Sequence, residues 1–170
     1  MMKATYPSAA VLPFPQAFTL CDEEVHDPYQ ACGTLLDPSV CSECTAVYID
    51  GHWQWIPAPP GAHNIHCPAC SRIRDKAAAG YVSIEGRFAR EYHAELQLLV
   101  QTLEKRTASQ HPMQRIMGIE DHPDRILVTT TDIHLARSIG EALHLAYKGN
   151  LDLHYNETRY LLRVRWQRWI

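Results

Sequence analysis

Cys41, Cys44, Cys67 and Cys70 are the residues whose type and spacing commit this chain to a chemistry. Cysteines three positions apart can share one tight turn with both sulfurs turned inward. Two such turns close a tetrahedron of thiolates around a single ion. The 22 residues between the pairs are enough for a hairpin, and 46–56 reads as one with Asp50-Gly51 as a type I′ turn. The donor set suits zinc, and one structural Zn2+ is expected. Four thiolates saturate the ion and leave none of the open coordination that a catalytic zinc keeps. The bland alternative is four buried or redox-active thiols without metal. His63 and His66 flank Cys67 and replace a ligand only if one cysteine stands idle. Cys21 and Cys32 lack a CxxC partner and read as free thiols, the alternative being a second site with His26.

The next candidates are cations and indoles. Arg72, Arg74 and Lys76 open the helix after the second cysteine pair and could extend a phosphate-binding surface, or form an ordinary solvated face. Arg163 and Arg165 alternate with Val164 and Trp166 on the last strand, so both point to one side and could grip successive phosphates. Pairing with Asp152 and Glu157, or protection of an edge strand, explains them equally well. Arg137 lies on the outer face of a helix over 132–147. Trp53 and Trp55 share one side of the expected hairpin. They offer either a stacking platform or, more simply, a cover for the metal and a dock onto the following long helix. The ten histidines form no metalloprotease or triad pattern, and GxxxxGK[ST] is absent. An enzyme is therefore not expected.

Elements must hold these residues in place. Residues 1–40 contain five prolines without helical or strand periodicity and read as a loosely ordered arm. Residues 41–85 read as the zinc ribbon, with helical composition over 71–79. Residues 86–170 read as an α+β domain: a long helix over 86–106 with Phe88, Tyr92, Leu96, Leu99 and Leu103 on one stripe, then a ββαββ segment. Its strands are expected at 113–119, 126–130, 151–155 and 160–166, and this domain is expected to keep its structure without zinc. The fold class is thus α+β. Of the 170 residues 46% are hydrophobic and 21% charged, with a formal net charge of −3, which disfavours indiscriminate binding to polyanions or acidic membranes. The charge is uneven: 1–40 holds one lysine against five acids, while 126–170 holds six basic residues against four acids, so any polyanion contact belongs to the latter half. With no apolar run long enough to span a bilayer and no export signal, a cytoplasmic protein with reduced thiols is expected.

The CSEC and CPAC pairs, the CPACSRIRDK and AGYVSIEG runs, HPMQRIMGIE, and TTTDIHLARSIGEALHLAYKGNLDLHYN followed by LRVRW together resemble a family of small, largely uncharacterised bacterial zinc-ribbon proteins, over residues 41–168. More distantly, CxxC pairs followed by strand, helix and hairpin are similar to the archaeal and eukaryotic adaptors that accompany large ribosomal subunits in nuclear export. Those adaptors carry more CxxC pairs and further β-domains. That likeness implies ribosome binding. The expectation drawn is a non-enzymatic zinc protein that binds structured RNA or the ribosome, docking through the ribbon and using Arg137, Arg163 and Arg165, with Arg72, Arg74 and Lys76, on phosphates. The alternative is a protein–protein adaptor that uses the ribbon and its tryptophan face.

Overall fold

Each CxxC turn fixes the strand ends next to it. In the computed structural model, which describes residues 27–30 and 35–170, the first turn follows β1 (Ser39–Cys41) and leads into β2 (Val47–Ile49) and β3 (His52–Gln54). Asp50 and Gly51 between β2 and β3 both have positive φ, 52° and 85°, as a type I′ turn requires. The chain returns as β4 (His63–Ile65), and the sheet runs β3-β2-β1-β4 with β1 and β4 parallel. The second cysteine pair opens α1 (Pro68–Asp75). Cys67 is its N-cap, accepting from Cys70 N–H, and Pro68 sits where its missing N–H costs nothing. The left-handed Lys76 then ends the helix.

The second layer is a five-stranded sheet, β6-β7-β5-β9-β8, built from β5 (Gly80–Glu85), β6 (Ile116–Asp121), β7 (Arg125–Thr130), β8 (Asn150–Asn156) and β9 (Leu161–Gln167). Alternation along these strands sends Val82, Ile84, Ile126, Val128, Leu162, Val164 and Trp166 to one face. There they pack with α2 (Arg87–Glu91), α3 (His93–Gln110) and α4 (Ile133–Tyr147) into one apolar core. Asp132 caps α4 by accepting from the N–H groups of His134 and Leu135. At Gly140 a Cβ would lie 2.5 Å from Val164 Cγ1, so only glycine lets α4 sit this close to β9.

Three expectations change. The sheet is not made by a ββαββ segment alone. Gly80–Glu85, read as the end of the ribbon, forms its central strand, antiparallel to β7 and parallel to β9. The boundary between ribbon and α+β domain therefore lies before residue 80 rather than at 85. The single helix over 86–106 is two helices. Tyr92 leaves the helical region (φ −109°, ψ 25°) and is 44% exposed, so the apolar stripe is broken there. Phe88 and Ala89 enter the core from α2, and Leu96 and Val100 from α3. Finally, the arm does not end at 40: Ser39 is fully buried in β1, and Asp27 is buried against α1. Residues 1–26 and 31–34 of that arm, with Cys21 and Cys32, lie outside the described residues. No described helix is long and apolar enough to cross a membrane.

Candidate metal centre

The two turns converge. The Sγ atoms of Cys41, Cys44, Cys67 and Cys70 all lie within 4.8 Å of one another, and Cys44 and Cys67 are 3.7 Å apart. A tetrahedron with metal–sulfur bonds of about 2.3 Å has edges of about 3.8 Å, so the four residues fit one thiophilic ion. Backbone N–H groups point at two of the sulfurs: Cys67 N–H donates to Cys41 Sγ and Cys70 N–H to Cys67 Sγ, each at 3.3 Å. His63 and His66 are outside the cluster. Both are exposed, and His66 Nδ1 lies 3.2 Å from Glu43 Oε1 on the rim. Among the described residues no other cluster of histidine, cysteine and carboxylate side chains could hold a metal ion.

The surroundings act differently on Cys41, Cys67 and Cys70. Burial raises Cys41, but backbone N–H groups from Cys44, Cys67 and Glu43 outweigh it and bring the thiol down to about 6. Burial pushes Cys70 up to about 11 despite opposing hydrogen bonds from Cys67 and Arg115, and it raises Cys67 as well. A bound metal must therefore displace protons from Cys67 and Cys70, and its affinity falls on acidification. With all four sulfurs engaged, a tetrahedral ion has no position left for water or substrate.

The residue that sequence reasoning misses is Arg115, just before β6. Its guanidinium donates from Nη2 to Cys44 Sγ at 3.1 Å and from Nη1 to Cys70 Sγ at 3.4 Å, while Nε binds Pro112 O at 2.7 Å. Burial would lower its pKa, yet the hydrogen bond and charge of Cys44, with Cys70 and Cys67, hold it above the usual value. Four thiolates outweigh the charge of a divalent ion, and Arg115 offsets part of that excess from the other domain. Trp55 covers this arginine, with its ring centroid 5.4 Å from the guanidinium carbon, and its indole N–H donates to Ala108 O of α3 at 2.7 Å. Trp53 packs on the cysteine cluster together with Met113. The centre is thus also the seam between ribbon and α+β domain.

The six candidate phosphate ligands are scattered. Arg72 is 3% exposed and faces inward: Nη2 binds Asp27 Oδ1 at 2.5 Å, Nη1 binds Ala77 O at 2.9 Å, and the Tyr29 ring covers it at 4.3 Å. It is a structural clamp for residues 27–30 and does not reach solvent. Arg165 and Arg163 share the sheet face opposite the helices, both half-buried; Arg165 Nε donates to Glu85 Oε2 at 2.9 Å on one side, and Asp152 lies directly opposite Arg165 on β8 on the other. Arg74, Lys76 and Arg137 are exposed, the first two at the end of α1 and the third on α4. No known protein family, curated protein or solved structure matches this chain.

Proposed function

We propose that the chain is a non-enzymatic protein-interaction adaptor whose ribbon is fixed by one structural zinc ion. The donor set is the reason for zinc: four thiolates at tetrahedral spacing, without an open position, suit that ion and a structural role. The observation that carries the adaptor reading is the stretch from Trp55 to Pro60. It is uncharged and five of its six residues are exposed, Trp55 at 43% and Ile56 at 38%, although it begins against Arg115 and the metal centre. Proline-rich segments have few conformations to lose on docking into an aromatic-lined groove, and a metal held by the four cysteines would present this one on a rigid base. Binding to structured RNA or the ribosome is the second reading. It is supported by the exposed Arg74 and Lys76 beside the ribbon, and by Arg137.

Salt and ribonuclease separate the two. Tagged protein captured from lysate should retain a protein partner after ribonuclease treatment and across a salt series, since an apolar interface weakens little with salt. Ile56→Asp should abolish that retention without unfolding the chain. If instead only ribosomes or RNA are retained, and only at low salt, with loss on replacing Arg74 and Lys76 by glutamine, the second reading takes its place.

A further inference from the structure

We infer that the side of α3 bordering α4, where Leu99 and Leu103 are only partly covered by the core, is the interface of a symmetric homodimer, with a second copy of this chain packed antiparallel across it. The groove between α3 and α4, about 410 Å³, is lined by Glu95, Leu98, Leu99, Thr102, Leu103 and Arg106 of α3 with Ala142 and Tyr147. Leu98 is 63% exposed, and Leu145, one turn beyond Ala142 on α4, is 76% exposed. A monomer gains nothing from two leucines held so far into water.

The order of residues on α3 identifies the occupant. Positions 95, 98, 99, 102, 103 and 106 are spaced three, one, three, one, three, which reads the same from either end. A two-fold axis crossing the helix between residues 100 and 101 places Glu95 opposite Arg106 of the second copy, Leu98 opposite Leu103, and Leu99 opposite Thr102. Each charge at the end of the stripe meets its opposite, and each apolar position meets an apolar or small one. Such self-complementarity is what an isologous helix pair needs, and the spacing is that of side chains interdigitating at a shallow crossing angle. A parallel pairing sets Glu95 on Glu95 and Arg106 on Arg106, which like-charge repulsion opposes. Glu95 is already oriented, since its Oε1 accepts from Tyr147 Oη at 2.6 Å. No ribbon residue takes part, so the interface stands whether or not the adaptor reading does.

Charge exchange tests it by sedimentation equilibrium of the full chain. Wild type should be a dimer. Glu95→Lys and Arg106→Glu should each weaken self-association about tenfold, because each turns two attractive pairs into repulsive ones. The variant carrying both changes should recover the wild-type affinity, and an equimolar mixture of the two single variants should form a heterodimer tighter than either alone. Leu98→Asp should give a monomer with unchanged circular dichroism. A wild type that stays monomeric at its highest soluble concentration would overturn the inference, as would a double variant associating no better than the single ones.

Discussion

The two sheets of this protein are held together by different physics. Strands in the ribbon are three residues long, and its buried cluster consists of Cys41, Cys67, Ala69 and Cys70. Strands in the larger sheet have six or seven residues and share fifteen buried apolar side chains with three helices. A sheet as small as the ribbon buries too little apolar area to offset the entropy of ordering its loops, a difference that an ion held by the four cysteines would supply. The larger sheet buries far more apolar surface of its own. Arg115 joins them, belonging by sequence to one and by contact to the other.

The largest effect that could break this contrast comes from where the chain is cut. A fragment of residues 77–170 keeps β5 and should fold in the presence of a chelator, whereas 86–170 lacks the central strand and should be unfolded. Circular dichroism and thermal melting of the two would show it. A folded 86–170 fragment would mean that β7 and β9 can close without β5.

Next in size is the metal itself. Wild type should carry one zinc per chain, and Cys67→Ser, which removes a ligand while leaving a hydroxyl that can still cap α1, should carry almost none. The ribbon then forfeits most of the roughly 10–16 kcal/mol that zinc supplies to small structural sites. Elemental analysis reads the first quantity. Near-ultraviolet circular dichroism reads the second through Trp53 and Trp55, while the far-ultraviolet signal of the larger sheet persists. Full metal content in the variant would mean that a histidine such as His63 or His66 had taken the vacant place.

A smaller effect sharpens the comparison at its seam. Arg115→Gln keeps all four ligands but removes the charge beside them, losing about 1.5–3 kcal/mol for each charge-assisted hydrogen bond not replaced. Zinc transfer to a chelator should accelerate while the global melt of the larger sheet moves little. An unchanged transfer rate would show that the two units do not communicate through this residue.

The ligand set is legible in the sequence because each cysteine pair is local: CxxC can be read without knowing where anything else lies. The β2–β3 turn is legible for the same reason, since Asp-Gly encodes its own positive φ values. What sequence reading misses depends on partners far along the chain. Arg72 reads as a solvated cation because its counter-ion, Asp27, belongs to an arm with no pattern of its own. Arg115 looks like any arginine before a strand until Cys44 is brought beside it. The run Gly80–Glu85 has the alternation of a strand, Val82 and Ile84 inward against Tyr81, Ser83 and Glu85, but nothing in it says which sheet it will join. The break at Tyr92 hides inside a flawless helical stripe, because periodicity records which residues are apolar and not whether one straight axis can deliver them all.

The position of β5 also sets the order in which the molecule can assemble. Its neighbour on one side is β7, but on the other it is β9, where Gly80 lies level with Leu162. A chain emerging from its N-terminus can complete both cysteine turns and load its metal early, because every ligand lies before residue 71. The central strand must then wait, one edge open, until β9 appears some 75 residues after β5 ends. Pairings of such long range are slow and leave an unpaired edge available to other chains in the meantime. Premature termination shortly before β9 should therefore yield a product with a finished metal site and a strong tendency to aggregate.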